Sequence, residues 1–213
     1  MKTIVMCEGK YDRIFFKEIV SKLFLSEDIV NVFDQNTRSV LSNLKNAESK
    51  EIQKFLDAGY PHRILVKSEG GKNKVFAIFS FFMNFFFEGS RQNKIKNIII
   101  MLDIDKNELD ETHLKEEIDY LDNEIICRKR GDPIYLEHKI IENKNSICLV
   151  ENSVKIKANN EEVGKFLSIL FHSSLEKKTG INDIDTEEIK RAKINDYLDI
   201  DREANRILKI AFS

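Results

Sequence analysis

Few cysteines and no surplus of positive charge are the first things this sequence shows. The three cysteines, Cys7, Cys127 and Cys148, are an odd number without CxxC spacing. Neither a disulfide framework nor a thiolate zinc site is favoured; a reducing compartment fits, with the cysteines as buried thiols. Lys and Arg number 34 against 36 Asp and Glu, a net charge of -2. No global positive field would draw in a polyanion, so any nucleic-acid contact must be local. No basic and apolar signal opens the chain, because Met1 to Cys7 reads directly into a strand, and a cytoplasmic protein is expected. The most apolar run, "VFAIFSFFMNFFF" at residues 75 to 87, is bounded by Lys74 and Glu88. It is shorter than the roughly 20 residues needed to cross a bilayer, so no membrane association is expected. It reads as a buried helix, with a homodimer contact as the alternative. His62, His113, His138 and His172 lack metal-ligand spacing, and no GxxxxGK[ST] loop, long linker or repeat is found.

What is present supports a folded core: 42% of residues are hydrophobic and 33% charged, enough for one domain or one domain with a small appendage. Thr3 to Cys7 is an apolar run, followed by Phe15, Phe16, Ile19, Val20, Leu23 and Phe24 at helical spacing. Ile29 to Phe33 reads as another strand, and a helix-compatible stretch from Arg38 to Ala58 stops at Gly59 and Pro61. "HRILVKSEGGKNK" gives a strand, a glycine pair and the start of the apolar helix. The unbroken run Ile98 to Leu102 within "NIIIMLDID" suits a central parallel strand covered on both faces. Helix-like "ELDETHLKEEIDYL" and strand-like "EIICRKR" follow. This alternation predicts an α/β domain with a mainly parallel sheet flanked by helices.

After Gly131 and Pro133 the rhythm changes. Residues 146 to 159 look like a hairpin or a pair of short strands. In "EEVGKFLSILFHSSLEKKTG", Val163, Phe166, Leu167 and Leu170 lie on one helical face, and Lys177, Lys178 and Gly180 form the stop. Asp185 with Glu188 suits the cap of a last helical region. The organisation expected is an α/β domain over residues 1–130, with an insertion around residues 28–62, and a hairpin and helical extension over residues 131–213 packed on it.

The chemistry resides in carboxylates at strand ends. Glu8 ends the first strand, and Asp103 and Asp105 end the central one. Ligands in open α/β sheets gather at that edge. Residues i and i+2 of an extended chain point to one side, so Asp103 and Asp105 aim together at a point within reach of Glu8. Such carboxylates repel one another unless a cation or protons intervene. Oxygen-only ligands suit Mg2+ or Mn2+.

"EGKYD" after the first strand, "SEGGKNK" after a later one and "IIIMLDIDK" at the central strand resemble, in that order, the Toprim domain, whose fold is a Rossmann-like α/β sheet. The resemblance covers roughly residues 1 to 130. "EGKYDRIFF" is most similar to stand-alone Toprim proteins and to the overcoming-lysogenization-defect nucleases. Those nucleases carry an ATPase domain, so any ATPase here would be a separate partner. The resemblance implies that Asp103 and Asp105 hold a divalent metal, and that Glu8 joins them or acts as general acid or base. Asp12 matches the second acid of the first motif and would bind a second metal, although an Asp near a helix start is favoured on electrostatic grounds alone.

Nucleic-acid contacts have two candidate locations. Gly71 and Lys72, with Gly70, suit a phosphate at a helix start, though a strand-to-helix turn also wants glycine. Arg128, Lys129 and Arg130, following a predicted strand at the carboxylate edge, would track a phosphate backbone; a solvated face is the plain alternative. The expected function is Mg2+-dependent phosphodiester chemistry on DNA or RNA, foremost a nuclease. The alternative is a non-catalytic Toprim module that binds nucleic acid or protein within a repair or RNA-processing complex. A haloacid-dehalogenase-type phosphatase shares Asp-x-Asp, but that family expects the motif early and a Thr or Val where Asn107 stands.

Overall fold

A computed structural model describes residues 2–23, 29–31, 54–56, 63–87, 95–104, 111–128, 132–144 and 146–212. Among these residues seven strands form one sheet: β1 (Lys2–Cys7), β2 (Ile29–Asn31), β3 (Ile64–Ser68), β4 (Ile95–Asp103), β5 (Ile134–Lys144), β6 (Ile147–Ile156) and β7 (Glu162–Phe171). Their order is β2-β3-β1-β4-β7-β6-β5, parallel from β2 through β7 and antiparallel from β7 to β5. The helices are α1 (Lys10–Leu23), α2 (Lys72–Phe87), α3 (Glu111–Arg128), α4 (Leu175–Thr179), α5 (Glu187–Ile200) and α6 (Arg202–Phe212). The α/β class and mostly parallel sheet agree with the sequence reading.

The layering follows from the crossovers. The connection from β1 through α1 to β2 runs toward one side of the sheet, and that from β3 through α2 to β4 runs the other way. With one hand common to both, their helices lie on opposite faces. One face packs Val75, Phe76, Phe79 and Met83 of α2 and Leu114, Leu121 and Ile125 of α3 against Ile4, Met6, Ile98, Ile100 and Leu102. The other packs Phe15, Phe16 and Ile19 of α1 with Ile194, Leu198, Ile207 and Leu208 of α5 and α6 against Val5, Ile99 and Met101. β1 and β4 are therefore buried on both faces, the condition that writes an unbroken apolar run. The described buried side chains of α2 belong to this core, and no helix among the described residues is long and apolar enough to cross a membrane. Cys7 and Cys148 are buried free thiols; burial pushes both pKa values up, that of Cys148 to about 12.

Three local readings are corrected. "EIICR" is not a strand but the last turns of α3, because Leu121 and Ile125, one helical repeat apart, bury against α2. Residues 162–171 are strand β7 rather than a helix. Val163, Phe166, Leu167 and Leu170 satisfy a helical period, but the slot between β4 and β6 buries successive residues from Ser168 to Phe171 on both faces. The stretch read as a hairpin is the single strand β6, paired on both sides. One sheet thus runs across the boundary drawn at residue 130, with β7 beside β4. The helix expected over residues 38–58 lies largely outside the described residues.

Close packing between α2 and β7 singles out Gly164. A Cβ built there would overlap Cδ1 of Phe87 and stand 2.5 Å from both Cγ and Cε1 of the same ring. Gly164→Ala should therefore cost about 1–3 kcal/mol through displacement of the ring. At roughly 2–4 °C per kcal/mol for a chain of this size, thermal unfolding will show it; an unchanged melting temperature would refute the close approach.

Candidate carboxylate site

The carboxyl ends of β1 and β4 are neighbours, and the chain leaves them toward opposite faces. A crevice opens at such a point. Glu8, the first residue beyond β1, spans it: its Oε1 accepts the amide hydrogen of Asp103 at 2.9 Å. An acid stands at the end of a buried strand because the adjacent strand ends there with an amide to satisfy. The main chain of Glu8 is held as firmly, since its carbonyl accepts from Gly70 N and Gly71 N at 2.6 and 2.9 Å. Those glycines have φ of 76° and 135°, a conformation other residues adopt only with strain.

Asp12 lies in the first turn of α1, 5% exposed, and its Oδ2 accepts from Gly9 N at 2.7 Å. Asp103 accepts from Leu175 N, the first amide of α4, through Oδ2 at 3.2 Å. Its Oδ1 is buried and accepts no hydrogen bond among the described residues. Burial pushes Asp12 up to about 7, reinforced by the charges of Glu8 and Glu176, against the hydrogen bond from Gly9. Burial pushes Asp103 up to about 8, reinforced by Asp12, Glu8 and Glu176, against the hydrogen bond from Leu175. Glu176 is thus a fourth acid acting on the site, and sequence reasoning missed it. Its only local signal is a place in "SSLEKK"; the pairing of β7 with β4 carries it to the crevice.

The other candidate residues divide. Lys72 Nζ donates to the Asp103 carbonyl at 3.1 Å and to Glu117 Oε2 at 2.9 Å, and the amide of Gly71 is taken by Glu8. The glycine turn and its lysine therefore tie α2 to the site, and their donors are engaged within the protein. Arg128 ends α3. α2 and α3 run alongside in the same direction: Lys72 meets Glu117, and Ser80 Oγ meets the Ile125 carbonyl at 3.4 Å. The backbone of Arg128 therefore lies at the far end of α3 from the carboxylates. For Arg128 the expected position at the carboxylate edge is corrected, because "EIICR" continues a helix instead of forming a strand. Asp105, Lys129 and Arg130 lie outside the described residues.

The donors around Asp103 are carboxylate oxygens of mutually repelling groups, and the buried Oδ1 has an acceptor position to offer. This chemistry fits a hard divalent cation. Among the described residues, no three His, Cys, Asp or Glu side chains are assembled into a metal-holding group, so a cation at Asp103 would draw on further ligands or water. A scan of protein-family models and comparisons with curated proteins and with solved structures give no match to this chain.

The raised acids make stability depend on pH in a stated direction. From the ordinary carboxylate value of 3.8 up to about 7 for Asp12 and about 8 for Asp103, the folded protein holds protons that the unfolded chain has released. Stability is therefore greatest at the acid end of that window and declines as pH rises through the folded values. With chelator present, the melting temperature should fall between about pH 5 and pH 8 as this linkage requires. Asp103→Asn should flatten the fall and melt higher than the native protein near pH 8. Mn2+ should restore the native melting temperature there and leave the mutant unchanged. A mutant with the native slope and native Mn2+ response would remove Asp103 from this role.

Proposed function

We propose that this chain is a Toprim-like enzyme that uses Mg2+ or Mn2+ to hydrolyse phosphodiester bonds in DNA or RNA, a nuclease. The observation that carries the reading is Asp103: half-buried at the β1/β4 crevice, one carboxyl oxygen held by an amide, the other buried and without a hydrogen bond among the described residues, and Glu8 and Asp12 beside it. The order of Glu8, Asp12, Asp103 and Asp105 in the sequence gives the resemblance its support.

Asp103 would hold the cation, with Asp105 as the further ligand that the resemblance implies and Asp12 serving a second metal. When bound there, a cation would supply charge neutralisation for the phosphoryl group and would acidify the attacking water. Glu8 is anchored through Oε1, which fixes the orientation of its carboxyl group. From there it handles the proton. The oxygen of water bonds to phosphorus as its proton passes to a carboxylate, while the ester P–O bond breaks and the leaving oxygen takes up a proton. The same site also supports a second reading, a non-catalytic module that binds nucleic acid or protein, in which Glu8, held through both its carboxylate and its carbonyl, has a structural role. A separate ATPase would be a partner under either reading, and localisation in the cytoplasm is part of the proposal.

Purified protein incubated with DNA and RNA, in Mg2+, Mn2+ or chelator, separates the two. The enzyme predicts metal-dependent cleavage; the module predicts binding without turnover. Glu8→Gln should keep its fold and lose about 10²- to 10⁴-fold in cleavage rate, the usual worth of a positioned acid or base. Undiminished cleavage in that variant would return Glu8 to a purely structural role.

A further inference from the structure

Beside the carboxylates, donors from separate parts of the chain converge on one exposed acid. Asp183 Oδ1 accepts from Lys10 Nζ at 3.0 Å and also from the Tyr11 hydroxyl. Lys10 Nζ and Lys190 Nζ stand 4.8 and 5.2 Å from the centre of the Tyr11 ring. The Tyr11 and Lys10 hydrogen bonds hold the Asp183 carboxyl below its ordinary pKa, and the Lys190 charge adds to them. The loop carrying Asp183 is braced from behind: Asp185 Oδ2 accepts from Asn182 N at 2.9 Å and from Lys193 Nζ at 2.8 Å, and Lys193 also donates to the Gly180 carbonyl. Lys10 and Tyr11 open α1 two and three residues after Glu8, so this cluster sits on the rim of the candidate site.

We propose that Lys10, Tyr11 and Lys190 form a binding subsite for a backbone phosphate of the nucleic-acid strand, and that the Asp183 carboxylate occupies it until the strand arrives. The inference rests on the nucleic-acid reading above and adds to it where the strand is held. An exposed ion pair of this kind contributes little, because water screens it: the Asp183 side chain is 82% exposed and that of Lys10 57%. A strand phosphate can therefore displace it at small cost, presenting its own oxygens to two ammonium groups and a hydroxyl. Polyelectrolyte binding adds the release of counterions, which a single carboxylate does not supply. Asp183 thereby acts as a competitor built into the chain, and it lowers the affinity of every strand that must displace it.

The test measures binding of fluorescently labelled DNA and RNA oligonucleotides to the full chain in chelator, across a range of salt. Asp183→Ala should raise affinity by up to about fivefold, the scale of one exposed ion pair. Asp199→Ala, which removes the same charge from a surface pair with Lys22, should raise it less. Lys10→Ala combined with Lys190→Ala should lower affinity and flatten the salt dependence by about 0.7–0.9 logarithmic units for each phosphate no longer neutralised, with an unchanged melting temperature. Equal effects of the two Asp replacements, an unaltered salt slope in the double lysine variant, or no oligonucleotide binding by the native chain would each overturn the proposal. If the subsite variants behave as expected but no metal-dependent cleavage occurs, the nuclease reading fails and the subsite stands. If cleavage persists while the double lysine variant binds normally, the subsite alone fails.

Discussion

The hydrogen bond from the Asp103 amide to Glu8 joins the ends of two parallel strands that otherwise part toward opposite faces. Glu8 works with both its polar groups. Its carboxylate satisfies the end of β4, and its carbonyl takes both amides of the 70–71 turn. Through Lys72, that turn reaches the carbonyl of Asp103 and closes the circuit. The carboxyl ends of β3, β1 and β4 are thereby fixed relative to one another before any ligand is considered, the pre-organisation that a binding or catalytic site requires.

This arrangement places acids where water is scarce. Asp12 and Asp103 are pushed up by burial, with Glu8 and Glu176 adding to both and Asp12 adding to Asp103. The backbone amides of Gly9, Glu8 and Leu175 act against this rise. The cost falls on a sheet whose central strands are covered on both faces, and such a core can carry a local electrostatic penalty. Burial of like charges at a strand edge is the pattern found where protons or cations are handled.

The C-terminal part of the chain is integral to this site. β7 lies against β4, and the chain beyond it delivers the Leu175 amide to Asp103 and brings Glu176 close. Its last helices complete the face that α1 begins, with Phe15 edge-on to Phe171 and Phe16 edge-on to Phe212. α1 carries Asp12 on one side and Lys10 and Tyr11 on another, so the packing of α5 and α6 sets both the buried acid and the rim. A change deep in that face would reach the site through the tilt of α1.

The sequence by itself determined β1, β4 and the helix after Glu8, because strands buried on both sides write continuous apolar runs and α1 writes a helical stripe. It also determined that Glu8 and Asp103 stand at strand ends, since each follows such a run directly. Tertiary structure decided the rest. Phe166 to Phe171 satisfies two periodicities, and only the open hydrogen-bonding edge of β4 selects a strand. "EIICR" is rich in β-branched residues, yet a neighbouring helix to pack against made it helical and carried Arg128 away from the carboxylates. Glu176 acquires its relation to Asp103 only through the pairing of β7 with β4, and Lys10, Tyr11 and Asp183 meet across more than 170 positions of sequence. Local patterns record what a segment buries; which distant segment covers it, and what charge arrives with that segment, is settled by the competition among packings of the whole chain.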